Sequence, residues 1–102
     1  MSYYANSEER AGLIAGLRDL AEFLDKHPSV PAPRRTDMFV FPPVGTDAQM
    51  FAEIDAIACQ IGATASDADS PAGHYSAYRD FGPVQYRAIA IPHSARDNEG
   101  GE

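Results

Sequence analysis

The chain has 102 residues and carries fifteen Asp and Glu against eight Lys and Arg, a formal net charge of −7. That length holds one ordinary core and leaves no room for a second, while the charge argues against unaided binding to a phosphate backbone or an anionic lipid surface. A single cysteine, Cys59, excludes an intramolecular disulfide, so the fold must rest on packing.

The opening MSYYANSEER has no basic flank followed by an apolar stretch, and no run approaches the roughly 18 apolar residues of a membrane span. A cytoplasmic protein is expected. The first element is a helix capped by Asn6 or Ser7, with Glu9 three places after Asn6 as in a capping box. Leu13, Ile14, Leu17, Leu20, Ala21 and Leu24 recur at spacings of 1, 3, 3, 1 and 3, the stripe of a helix with one face to bury. Glu8 and Glu9 suit the positive end of the helix dipole and Lys26 and His27 the negative end. Pro28 stops the helix, and Pro31 and Pro33 make the segment up to Arg35 an extended connector.

Met38, Phe39, Val40 and Phe41 form an apolar run too short for a helix and closed by Pro42 and Pro43, which reads as a strand. Thr46, with Gln49 three places on, caps a second helix that Gly62 terminates. Its stripe of Met50, Phe51, Ile54, Ile57, Ala58 and Ile61 repeats the spacing of the first. Ala63 to Ser66 suggest a further short strand, followed by a turn region from Asp67 to Gly73. The clearest strand signal comes last, where His74 to Phe81 and Val84 to Ile91 flank Gly82 and Pro83, and Pro92 closes the second run.

These elements predict an α+β domain over 1–92, two amphipathic helices packed on one face of a small antiparallel sheet of three or four strands that ends in a β-hairpin. The polar, Gly-rich segment 93–102 is expected to be a disordered tail. Reversal about Gly82 and Pro83 pairs Phe81 with Val84, Arg79 with Tyr86, Ala77 with Ala88 and Tyr75 with Ala90. Those residues form the inner face, with the Arg79 guanidinium over the Tyr86 ring. The outer face then holds His74, Ser76, Tyr78 and Asp80 beside Gln85, Arg87, Ile89 and Ile91. Of these His74, Tyr78, Arg87, Ile89 and Ile91 are the candidate binding residues, since an aromatic, a cation and aliphatics side by side suit recognition.

Between Arg35 and Arg79 no Lys or Arg occurs, while Asp37, Asp47, Glu53, Asp55, Asp67 and Asp69 all lie there. Asp47, Glu53, Asp55, Asp67 and Asp69 are therefore a candidate anionic surface for a basic partner. Gly12 and Gly16 make a GxxxG on the first helix with Phe23 on the same flank, a candidate groove for a homodimer or another partner. No metal site is expected, because His27, His74 and His93 lack ligand spacing. No cofactor is expected either, since the glycines form no phosphate loop. No nucleophile has an evident base, so catalytic residues are not assigned.

The stretch from Gly73 to Pro92, GHYSAYRDFGPVQYRAIAIP, resembles small proteins of actinobacteria, their phages and mobile elements. The helix before Pro28 and the segment Phe41-Pro42-Pro43 are similar as well. The resemblance implies an accessory gene and brings no catalytic residue with it. The expected function is that of a non-enzymatic protein-interaction or modulator domain. A nucleic-acid mimic occupying a basic host protein, and a small-molecule-binding domain or enzyme using the hairpin face, are the alternatives.

Overall fold

The structure is a computed structural model and describes residues 4–67 and 73–93. It contains two helices, α1 (Ser7–Lys26) and α2 (Asp47–Ile61), and three strands, β1 (Thr36–Val40), β2 (Tyr75–Phe81) and β3 (Val84–Ala90). The chain divides into two compact units, Met1–Arg34 and Arg35–Glu102.

The first unit is built on α1. The Asn6 Oδ1 accepts from the Glu9 backbone N–H at 2.8 Å, and the Glu9 carboxylate accepts from the Asn6 N–H at 3.0 Å. Two of the N–H groups that a helix start leaves over are thereby satisfied. At the other end the His27 ring stacks on Phe23, centroids 4.3 Å apart, while its Nδ1–H donates to the Phe23 carbonyl at 2.9 Å. Glu22 and Lys26 pair one turn apart at 2.7 Å. None of the α1 residues is buried.

The second unit is a three-stranded sheet in the order β1-β3-β2 with α2 against one face. β2 and β3 are antiparallel in the expected register, Tyr75 opposite Ala90 through Phe81 opposite Val84. Gly82, at φ +62°, makes the left-handed turn that a two-residue loop requires. The sheet is not purely antiparallel as expected, because β1 runs parallel to β3, from Thr36 opposite Val84 to Val40 opposite Ala88. A tight hairpin forces its strands antiparallel; β1 is joined to β2 through the whole of α2, and that longer connection leaves its direction free. The strand expected at Ala63 to Ser66 reduces to one antiparallel bridge between Ser66 and Ser76.

The core lies between α2 and the inner sheet face. Met50, Ile54, Ile57 and Ala58 of α2 and Ala77, Ala88 and Ala90 of the sheet are all buried. The three alanines are the reason the helix can lie close, since a larger side chain there would hold it off. Phe51 packs on Tyr75 with centroids 4.7 Å apart, and the Tyr75 hydroxyl donates to the Asp55 carboxylate at 2.5 Å. Thr46 and Gln49 complete a capping box at the start of α2, and Gly62 ends it with φ +71° in the left-handed region. The segments expected as the outer turn and as the tail fall largely on 68–72 and 94–102, outside the described residues.

Candidate functional site

Alternation along the strands fixes what the other sheet face presents. Ser76, Tyr78 and Asp80 come from β2, Gln85, Arg87 and Ile89 from β3, and Asp37 and Phe39 from β1. Cross-strand neighbours are Tyr78 with Arg87, Asp80 with Gln85, Ser76 with Ile89, Asp37 with Gln85 and Phe39 with Arg87. Arg87 thus stands on the central strand with an aromatic residue in register on either side.

Arg87 is held in place by three contacts. Its guanidinium carbon lies 4.6 Å from the centroid of the Tyr78 ring. Its Nε–H donates to Gln85 Oε1 at 3.0 Å and its Nη1–H to Ser76 Oγ at 2.8 Å. Gln85, only 9% exposed, passes the chain on by donating from Nε2 to Asp80 Oδ1 at 3.0 Å. A buried amide must satisfy both ends, and here one end faces the cation and the other the anion. The result is a polar row, Ser76, Arg87, Gln85 and Asp80, set between exposed aromatics. Tyr78 is 41% and Phe39 49% exposed, and Phe41, just past β1, is 48% exposed.

Of the sequence candidates, the structure brings Tyr78, Arg87 and Ile89 together on this face, with Ile89 half-buried. His74 and Ile91 are half-buried and lie just outside the ends of β2 and β3. Phe39 was missed, although the alternation of Asp37 and Phe39 with Met38 and Val40 carries the signal. What the alternation lacks is the edge of the sheet on which β1 lies. The Arg79 guanidinium is over the Phe81 ring at 5.1 Å, not over Tyr86 as expected. Phe81 is its neighbour two places along the same strand face and is left exposed at the hairpin end, so it offers the cation an open ring.

The acidic residues of the middle segment are held by several elements. Asp37 sits on the outer sheet face, in register with Gln85, and is paired with Arg35 at 2.9 Å. Glu53 and Asp55 are on α2, behind the other face, and two residues along a helix place them roughly 160° apart about its axis. Asp55 accepts from Tyr75, and Asp47 accepts from the backbone N–H of His93 at 2.9 Å. Asp67 is exposed next to the Ser66 bridge, and Asp69 lies outside the described residues.

The three histidines stand apart, His27 at the end of α1, His74 before β2 and His93 at the start of α2, where its Nε2–H donates to the Gly45 carbonyl at 2.7 Å. Among the described residues no group of three or more His, Cys, Asp or Glu is placed to hold a metal ion. An open recess of about 280 Å³ beside α2 is lined by Pro43, Val44, Gly45, Gln49 and Glu53, away from the polar row. No helix among the described residues is long and apolar enough to cross a membrane. Comparison with protein-family models, curated proteins and solved structures gives no match.

Proposed function

We propose that the chain is a non-enzymatic protein-interaction module of the cytoplasm, and that it binds through the outer sheet face around Phe39, Tyr78, Arg87 and Ile89. The observation that carries this reading is Arg87 fixed over the Tyr78 ring on a face whose aromatics are about half exposed. Tyr and Arg dominate the binding energy of protein interfaces, because each offers a large contact area together with a polar group. An Arg already immobilised by Tyr78, Gln85 and Ser76 loses little further freedom on binding. Asp80 and Asp37 give the face a polar margin at one end, as recognition surfaces have.

Recognition suits this row better than catalysis does. The Ser76 hydroxyl oxygen accepts from a guanidinium, which stays protonated and cannot serve as its base. The face is also open, whereas general acid and base chemistry gains from a site that excludes water. The resemblance to accessory proteins of actinobacteria and their phages fits a modulator that acts by binding. A basic partner fits the net charge of −7.

The test is capture of a host protein on the immobilised chain, followed by titration with Tyr78→Ala plus Arg87→Ala. Binding should weaken at least about tenfold, the loss of a single good contact of ~1.4 kcal/mol. A partner held equally well by the double variant, with the fold intact by circular dichroism, removes the outer face from consideration.

A further inference from the structure

We propose that Arg87 takes a carboxylate, supplied by an acidic side chain that a protein partner carries between apolar neighbours. This rests on the outer sheet face being the binding surface, and it names what that face reads. The register sets three residues in a row across the sheet, Phe39 from β1, Arg87 from β3 and Tyr78 from β2. The contacts that fix Arg87 all lie within the second unit.

A guanidinium offers five N–H groups and keeps its charge. Arg87 spends its Nε–H on Gln85 and one Nη1–H on Ser76. Its Nη2 bonds to none of the described residues and is not shut in by the protein. The unspent N–H groups on Nη1 and Nη2 suffice for the two parallel bonds by which a planar guanidinium holds a planar carboxylate.

Both acceptors that hold Arg87 are neutral. Lys26 and Arg35 each have a carboxylate, Glu22 and Asp37, whereas Arg87 is half-buried at the centre of the sheet and pairs with no acid among the described residues. A cation drawn partly out of water gains from an anion held against it. In a chain with fifteen acidic residues, that anion is left for the partner to bring. A partner that is basic overall needs one such acid at this point.

The next row selects a carboxylate over a phosphate. Asp37, Gln85 and Asp80 cross the sheet roughly 7 Å along the strands from Arg87, and Arg35 is already spent on Asp37. A phosphate would find one cation and repulsion from two acids, whereas a single negative charge is matched by Arg87 alone. The flanks select the source. Phe39 and Tyr78 leave apolar surface on both sides of Arg87; a chain that continues past its acid in both directions covers both, and a C-terminal carboxylate covers one.

The test is titration of the full chain, labelled with nitrogen-15, with acetyl-Leu-Gly-Asp-Gly-Leu-amide. At about 0.15 M salt, repulsion by the net charge of −7 is screened beyond about 8 Å. The Arg87 Nε–H signal should move and saturate, and the Asn analogue of the peptide should bind at least about tenfold more weakly, the loss of one charge-assisted bond. This comparison is made on the wild type and depends on no variant folding. Arg87→Lys, which keeps the charge without the fork, should bind between the wild type and Arg87→Gln. Equal binding of the two peptides, or an unmoved Nε–H signal, overturns the proposal. So does tighter binding of inorganic phosphate, or of acetyl-Leu-Gly-Leu with its C-terminal carboxylate free. If Tyr78→Ala lowers capture of a host protein and Arg87→Gln does not, the outer face stands as the binding surface and the carboxylate assignment alone fails.

Discussion

α1 and α2 carry apolar stripes of the same spacing, and the two stripes meet opposite fates. In α2, Met50, Ile54, Ile57 and Ala58 are at most 8% exposed, whereas in α1 every residue of the corresponding length escapes burial. Both helices begin with complete capping boxes, so local chemistry does not distinguish them. What differs is the chain on either side. α2 is entered from β1 through Pro42 and Pro43 and left through Gly62, whose left-handed turn sends the chain back toward the sheet; α1 ends in Pro28 and a stiff connector. A stripe declares that a face needs covering, and only the neighbouring elements decide what covers it.

The largest test of this contrast is truncation within each stripe. Ile54→Ala removes a side chain that is 0% exposed, and the cavity should cost the second unit about 2–5 kcal/mol. Leu17→Ala, measured by the same denaturant titration, should move that unit's stability by no more than about 0.5 kcal/mol. Equal losses would mean that the two stripes belong to one core.

The contrast also separates what was legible in the sequence from what was not. Both caps, Asn6 and Thr46, and the terminator Gly62 follow from residue types at fixed offsets, so they could be read directly. The hairpin register followed from Gly82 and Pro83, because a two- or a four-residue loop centred there gives the same pairs. The parallel pairing of β1 with β3 was out of reach, since a five-residue strand followed by a helix records neither its neighbour nor its direction. The place of Phe39 beside Arg87 was out of reach for the same reason. The pairing of Tyr78 with Arg87 could be read because it lies inside the hairpin, where local rules suffice.

A pair of glycine substitutions sharpens the comparison at smaller amplitude and with opposite signs. Gly62 has φ +71°, a conformation that costs any residue with a Cβ, so Gly62→Ala should destabilise the second unit by about 1 kcal/mol. Gly12 lies inside α1, and a Cβ there would meet nothing within 4 Å. Gly12→Ala should therefore raise the helix content of the first unit, with a gain of up to about 1 kcal/mol. Circular dichroism of both variants decides it, and a loss of helix in Gly12→Ala would show that the position is filled by a neighbour.

An effect of similar size concerns the bond between Tyr75 and Asp55, which joins β2 to the α2 surface. The hydroxyl donates to the carboxylate at 2.5 Å, and this bond, followed by desolvation and by the charges of Asp55 and Asp67, raises the phenol above its ordinary value of 10.0. Below that value the phenol is protonated in the folded and the unfolded chain alike, and the bond contributes in full. As the pH rises further, the unfolded phenol gives up its proton while the folded one still keeps it, so the unfolded state gains and stability falls until the folded pKa is passed. Tyr75→Phe should cost about 1 kcal/mol near neutrality, at the low end for a bond to a charged acceptor because water screens it. Its distance from the wild type should narrow above about pH 10, the ordinary range of the phenol. Paired denaturant titrations from pH 7 upward measure the gap; one that stays constant through the alkaline range would show that Tyr75 holds α2 by its ring against Phe51 and not by its hydroxyl.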